Sequence, residues 1–230
     1  MRNRPDAIML FTAGFGTRMG ALTKNLPKPM IPVAGRPLVD HSLELALEIS
    51  PKTVVANVHY LPEALIDHLG PQGVIFSHET DEILETGGGL KAALPLLGAG
   101  AVFTANTDVI WKGPNPFSLL LSAWKPDQMD GLLMCVEQEN AVGHTGNGDF
   151  IIDETGRITR GPGAVFGGIQ IIKTDLLNTF SQSSFSLNLV WNKLLASGSL
   201  FGHVYPGSWC DVGNPQGITL AETLLEKHDV

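Results

Sequence analysis

Gly14 and Gly16 flank Phe15 directly after an apolar run, and Thr17 and Arg18 follow at once. Paired glycines let the main chain turn tightly and bring its N–H groups against an anion, with a helix start adding positive potential. Two relatives of this pattern do not fit. A dinucleotide loop needs a third glycine three residues after the second, where this chain has Met19, with Gly20 one place late. The Walker loop needs Gly-Lys followed by Ser or Thr, which the chain lacks. Lys28 stands between Pro27 and Pro29, and the prolines predict an extended, stiff backbone that presents its amine. The chain is acidic, at −8 overall, so Arg18 and Lys28 concentrate scarce positive charge near one loop. A phosphate-rich ligand requires such donors.

Two carboxylates complete the first constellation. Asp108 lies just past the apolar run Ala101–Ala105, where an open α/β sheet exposes its ligands. Asp211 precedes Asn214 and Pro215, which suit the cap and first turn of a closing helix expected over Pro215–His228. Magnesium is held by one or two carboxylates together with substrate phosphates, so Asp108 and Asp211 are candidate metal ligands. Two loop-capping aspartates are the plain alternative. Glu85-Thr86-Gly87-Gly88-Gly89 leads into another expected helix. Its glycines admit a flat base or ribose, and Glu85 offers hydrogen-bond acceptors, with Glu79 a further acidic candidate for the base edge.

The elements that must position these groups alternate. Ala7–Ala13, Lys52–Val58, Val74–Ser77 and Ala101–Ala105 read as buried strands, with helical patterns over Leu38–Ile49, Pro62–Leu69 and the stretch ending near Leu97. That order predicts parallel βαβ units. Beyond it, Phe117–Trp124 reads as a helix and Gly131–Val136 as a strand. Phe150–Asp153 and Arg157–Arg160 form a hairpin around Glu154-Thr155-Gly156, and Ala164–Ile172 continues in strand character. Leu187–Ala196 is helical and Leu200–Tyr205 a strand. The expectation is one α/β domain over residues 1–230, a Rossmann-like, mainly parallel but mixed sheet flanked by helices with a small β-hairpin insertion.

Composition sets limits. Apolar residues make up 43% and charged ones 17%, as in a packed globular protein. The negative charge argues against nucleic acid, which needs a clustered basic face. No apolar run approaches a membrane span, and Ala7–Ala13 is too short and wrongly flanked for a signal peptide. Cys135 and Cys210 read as reduced, partly buried thiols, consistent with a cytoplasmic protein. His41, His59, His68, His78 and His203 are scattered and read as structural.

The stretch GFGTRMGALTKNLPKPMIPVAGRPL resembles the sugar-1-phosphate nucleotidyltransferase family, whose signature runs Gly-x-Gly-Thr-Arg-Met, Pro-Lys-Pro and Pro-Val-x-Gly-x-Pro-Leu. The resemblance implies the nucleotide-diphospho-sugar transferase fold and transfer of a nucleotidyl group from a nucleoside triphosphate to a sugar 1-phosphate. By the same resemblance Gly14, Gly16 and Arg18 cradle the nucleotide phosphates, Ala13 and Thr17 also bind the nucleotide, Lys28 neutralises the transferring group, and Asp108 and Asp211 hold Mg2+. Residues 1–110 would form the nucleotide half and 111–230 the sugar-phosphate half.

Three positions depart from the family pattern: Ala21 replaces a proline and predicts a looser loop, Thr107 adds bulk beside the metal or a phosphate, and Asn214 replaces a threonine. The Leu-Glu-Thr-Gly-Gly-Gly run at Leu84–Gly89 resembles uridylyltransferases acting on N-acetylmuramic acid 1-phosphate, which favours UTP and cell-wall recycling. Mannose-1-phosphate guanylyltransferases are the competing reading. On the sugar side a family lysine is missing, and Arg160 is the substitute, an ordinary hairpin charge being its alternative. Gly168 would leave room for the sugar, while Asn188 and Trp191 read as packing residues. A non-catalytic subunit of this fold is the rival of another class, disfavoured by retention of Arg18, Lys28, Asp108 and Asp211 together. A dinucleotide-dependent oxidoreductase is disfavoured by the Met19 spacing.

Overall fold

The computed structural model describes residues 4–226. The elements run β1 (Ala7–Phe11), β2 (Pro32–Val33), β3 (Arg36–Pro37), α1 (Leu38–Glu48), β4 (Thr53–Val58), α2 (Pro62–Leu69) and β5 (Ile75–His78). Next come α3 (Glu85–Leu97), β6 (Ala101–Asn106), β7 (Val109–Lys112), α4 (Pro116–Ala123), β8 (Gly131–Val136) and β9 (Ala141–Val142). The chain continues with β10 (Phe150–Ile152), β11 (Ile158–Arg160), β12 (Val165–Lys173), α5 (Leu187–Ala196), β13 (Leu200–Val204), β14 (Ser208–Asp211) and α6 (Pro215–Glu226). The closing helix is present as expected up to Glu226; Lys227 and His228 lie outside the described residues.

A seven-stranded sheet in the order β13-β8-β12-β6-β1-β4-β5 forms the middle layer. Only β12 runs against the rest, pairing antiparallel with both β6 and β8, while β1 pairs parallel with β4 and β6. The mixed, mainly parallel sheet matches the expectation. Residue alternation along β1 explains its two covered faces. Ile8 and Leu10 join one apolar cluster with Val39, Leu43 and Phe117, whereas Ala7 and Met9 join another with Leu90, Val190 and Leu194. Helices α1 and α4 therefore cover one face and α3 and α5 the other.

Three small pairings went unread in the sequence. β2 and β3 form a hairpin. β14 lies between β7 and β9, antiparallel to the first and parallel to the second. Strands of two to four residues carry too little alternation to register as a pattern. The expected hairpin of β10 and β11 is present, with Ile151 opposite Thr159.

The connection after β1 leads outward at the point where the strand order reverses, between β4 and β6. Chain crossovers leave a crevice there at the carboxyl ends of the strands. His41 fastens the neighbouring hairpin to α1. Arg36 Nη2 lies 3.1 Å from its Nδ1, and its Nε2 lies 3.0 Å from the Val33 carbonyl. That pattern assigns the proton to Nε2 and requires a neutral ring.

The glycine triplet at the start of α3 differs from expectation. Gly87, Gly88 and Gly89 are buried, and the Gly87 and Gly88 N–H groups both donate to the Phe185 carbonyl, at 2.8 and 3.0 Å. A Cβ on Gly87 would stand 2.5 Å from the Phe185 ring, and one on Gly89 would stand 2.7 Å from Glu79 Oε1. The triplet admits another stretch of this chain. That stretch, rather than a base or ribose, fills the space beside Gly87, which does not line the cavity bounded by Glu85 and Thr86.

Two measurements follow from these contacts. Gly87→Ala overpacks the seam between α3 and residues 183–185 at a cost of about 1–3 kcal/mol, which lowers Tm by roughly 3–10 °C in a chain of this size; calorimetry reads it. Burial is the main cause that lowers the His41 pKa below its ordinary 6.5, with the Arg36 charge adding to it. Below pH 6.5 the unfolded chain takes up a proton that the folded one refuses, so stability falls as pH drops through that value. Urea unfolding at about pH 7.5 and pH 5.5 should show wild type losing more stability than His41→Gln.

Candidate active site

The main chain leaving β1 is pinned before it turns. Thr12 donates its N–H to Asn57 Oδ1 at 2.8 Å, and its hydroxyl donates to the Asn57 carbonyl. Asn57 Nδ2 donates to Glu79 Oε1 at 2.7 Å, and Glu79 Oε2 accepts the Leu84 N–H at 2.8 Å. Glu79 is 3% exposed and both its oxygens are taken. It is therefore no reader of a base edge, as its sequence position had suggested. It fixes Asn57, which does line the crevice.

Gly16 adopts a left-handed backbone with φ of 63°, and a Cβ there would meet the Lys28 Cβ at 2.8 Å and Thr23 Cγ2 at 2.9 Å. Its glycine identity is explained by the approach of Lys28. Gly14 is different. Its φ is not positive, a Cβ there would meet nothing within 4 Å, and the residue lines the crevice. Nothing in the protein requires that glycine. The segment Thr17–Thr23 is a 3-10 helix kinked at Gly20. It is held by the Thr23 hydroxyl, which donates to the Gly16 carbonyl at 3.2 Å, and by Tyr60, whose hydroxyl donates to the Thr23 carbonyl at 3.0 Å. These bonds supply the order that Ala21 had seemed to cost. Ala13 is buried beneath the loop and lines the crevice, whereas Thr17 and Arg18 are exposed.

Lys28 is buried but does not sit in extended backbone. It opens a 3-10 turn over Lys28–Met30, with Pro27 extended before it. Its stem rests against Gly16, and its Nζ donates to Asp108 Oδ2 at 2.6 Å. Asp108 follows β6 at the strand end, as expected. Asp211 is the last residue of β14, opposite Val109 in the pairing with β7. The Val212 N–H donates to the Asp108 carbonyl at 2.9 Å, so the two carboxylate-bearing segments are adjacent.

Burial pushes the Asp211 pKa up. The Asp108 charge adds to this, against the opposing pull of Lys28, Arg18 and His144. Arg18 Nη1 and Asp211 Oδ2 each lie 2.9 Å from where a Cβ on Gly213 would stand. Gly213 thus leaves space for both. Asn214 caps α6 as expected, its Oδ1 accepting the Gly217 N–H at 3.1 Å.

Thr107 does not crowd this corner. Its hydroxyl turns away to donate to the Phe11 carbonyl at 2.8 Å, clamping the ends of β6 and β1. His144 was not singled out by sequence. Its Nε2 is buried without a hydrogen-bond partner among the described residues. The irregular stretch around it offers no periodic signal.

Two cavities share the walls Phe11, Thr86 and Asn106. The first, of about 280 Å³, runs from Gly14, Lys28 and Asp108 to Ile83, Glu85 and Thr86. Glu85 opens α3 in a left-handed conformation, with φ of 57°. Such strain is retained where a side chain must be aimed, and here the residue faces the cavity. Thr86 Oγ1 accepts the Leu187 N–H at 3.0 Å, joining α3 to the start of α5.

The second cavity is lined by Asp149, Arg160, Phe166, Gln170, Asn188 and Trp191, among others. Trp191 donates from Nε1 to Gln170 Oε1 at 2.8 Å, and Gln170 Nε2 donates to Thr104 at 3.0 Å. Asn188 and Trp191 therefore do more than pack. Gly168 does not leave the room for a sugar that its position suggested. It lies at an irregularity in the pairing of β12 with β8, with φ of 97°, and a Cβ there would meet the Asn106 Cβ at 3.0 Å. The room it leaves is taken by Asn106, which lines both cavities. Among the described residues, no helix is long and apolar enough to cross a membrane.

Comparison with known proteins fits this geometry. A family model for the MobA-like NTP transferase domain matches residues 8–199. The chain is 35% identical over 239 residues to N-acetylmuramate alpha-1-phosphate uridylyltransferase from Caulobacter vibrioides, covering 98% of this chain and 99% of that protein. The protein of the same name from Neisseria meningitidis serogroup B is 29% identical over 226 residues, covering 94% of this chain and 96% of its own. The solved inositol-1-phosphate CTP transferase from T. maritima shares the fold, with a TM-score of 0.75 at 16% identity over 100% of both chains. A glycine loop and the Lys28–Asp108 pair at the sheet's switch point, with Asp211 on the adjoining small sheet, suit the handling of a triphosphate, and the chain belongs to the MobA-like NTP transferase family, as a nucleotidyltransferase enzyme of the sugar-1-phosphate class.

Proposed function

We propose that the protein transfers uridylyl from UTP to N-acetylmuramic acid 1-phosphate in a magnesium-dependent reaction, giving the UDP-sugar and pyrophosphate. The observation that carries the reading is a pair of cavities sharing one wall, the first lined by the Lys28–Asp108 pair, in a chain that matches an N-acetylmuramate 1-phosphate uridylyltransferase along nearly its full length. The nucleotide occupies the first cavity against Ala13, Gly14, Glu85 and Thr86, with Gly16, Thr17 and Arg18 on the phosphate side. The sugar occupies the second, beside Arg160. Residues 1–110 supply the nucleotide half and 111–230 most of the sugar half, though Phe11, Thr86, Thr104 and Asn106 of the first region also line the second cavity.

An oxygen of the sugar phosphate forms a bond to the α-phosphorus of UTP while the bond from that phosphorus to the bridging oxygen breaks. The electron pair leaves with pyrophosphate. No redox change occurs and no protein nucleophile is needed, so positioning and charge stabilisation are the protein's contribution. Gly14 lets the main chain approach the phosphates, since only open space faces its missing Cβ. Lys28, fixed by Gly16 and Asp108, offers its amine to the transferring group, and Arg18 offers a second cation.

Asp108 and Asp211 would hold magnesium. A pair of carboxylates of which one is raised by burial and by the other favours a divalent cation between them. The ion, when bound, screens phosphate charge and polarises a phosphoryl oxygen. UTP supply and two buried free thiols support a cytoplasmic enzyme of cell-wall sugar recycling.

A pyrophosphate-release screen of four nucleoside triphosphates against several sugar 1-phosphates checks the substrates. UTP with N-acetylmuramic acid 1-phosphate is expected to give the highest rate; a preference for GTP with mannose 1-phosphate would replace the narrow reading while sparing the class. Chelation with EDTA is expected to stop turnover, and added magnesium to restore it. Asp108→Asn should lower kcat by about 10²–10³ or more with an unaltered circular dichroism spectrum. Undiminished turnover would remove Asp108 from the reaction.

A further inference from the structure

Arg160 is the sole cation lining the second cavity among the described residues, and its surroundings hold it ready without an ion pair. The guanidinium lies over the Phe150 ring at 4.8 Å and the Trp191 ring at 5.6 Å. Its Nη2 donates to Asn188 Oδ1 at 2.6 Å and Asn192 Oδ1 at 3.3 Å. Both acceptors are neutral amides. Nε and Nη1 have no protein acceptor, and Arg160 has no ion pair, among the described residues. Several other polar groups in that cavity are spent on one another or on the backbone. Gln170 is used by Thr104 and Trp191, and Asp149 Oδ2 accepts the Phe166 N–H at 2.8 Å.

We propose that Arg160 selects sugars bearing a second negative charge, a carboxylate on a ring substituent, separate from the 1-phosphate. The inference rests on the proposed uridylyl transfer. The reacting phosphates belong to the first cavity, with Lys28 and Asp108, and none of the side chains that hold Arg160 lines that cavity. The cation therefore serves a different part of the sugar. A stacked, planar guanidinium with a free edge matches a carboxylate through two parallel hydrogen bonds, whereas a neutral hydroxyl would leave its charge unpaired. Phe150, Trp191 and Asn188 fix the plane in advance, so little freedom is lost on binding.

The test uses two substrates differing only in the lactyl ether on O3: N-acetylmuramic acid 1-phosphate, which carries the carboxylate, and N-acetylglucosamine 1-phosphate, which does not. The ratio of their kcat/KM values with UTP is measured in wild type, Arg160→Met and Arg160→Lys. Wild type is expected to favour the acidic sugar by about ten- to a hundredfold, the range of a charged hydrogen bond. Arg160→Met should lose most of that ratio through KM for the acidic sugar, and Arg160→Lys, which keeps the charge and loses the fork, should fall between. A ratio undiminished in Arg160→Met, or an equal fall for both sugars, overturns the assignment. If Arg160→Met fails to fold, Arg160→Lys decides alone, an undiminished ratio counting against the proposal. Wild type that turns over neither sugar defeats the proposed function itself, a distinct result.

Discussion

Charge held half out of water between three side chains is the constraint on which this structure turns. Lys28 reaches Asp108 at 2.6 Å, and Asp211 feels Asp108, Lys28 and Arg18 together. Two carboxylates brought this close repel unless cations compensate, and burial magnifies the repulsion. The arrangement survives because strong backbone pairings hold it. Asp211 is locked into β14, the Val212 N–H is bonded to the Asp108 carbonyl, and Gly16 lets the Lys28 stem lie flat against the loop. Geometry imposed by the sheets keeps the two carboxylate-bearing segments side by side despite that repulsion.

Much of this was legible because the residue types are few and their positions constrained. A mixed sheet, carboxylates at strand ends and a capped closing helix followed from alternation, strand order and capping chemistry. What was not legible is what each residue approaches. Gly14, Gly16 and Gly87 look equivalent as letters. The first faces open space, the second faces Lys28, and the third faces Phe185. For Gly16 and Gly87 the neighbour that requires the glycine comes from another segment, and for Gly14 the protein supplies none. Glu79 misled in the same way: a carboxylate near a candidate base site is spent on Asn57 and the Leu84 N–H.

Lys28 shows where local rules yield to tertiary ones. The residue before a proline disfavours helical backbone, yet Lys28 opens a 3-10 turn. The pull of Asp108 and the packing against Gly16 outweigh a local preference. Trp191 is the reverse case, a residue dismissed as core. Its ring does pack, but its N–H is directed to Gln170 inside a cavity wall, because a buried indole donor needs an acceptor. One side chain serves both purposes.

The shared wall links these observations. Phe11, Thr86 and Asn106 border both cavities, and each is fixed by a different device. The Phe11 carbonyl is bound by Thr107, Thr86 is bonded to the start of α5, and Asn106 is fitted against the bulge at Gly168. An in-line displacement is sensitive to ångström errors in the placement of its two partners. A common wall built from three strand and helix ends sets the distance between the cavities. Gly168 contributes to that wall through the position of Asn106 and not through space left for a sugar.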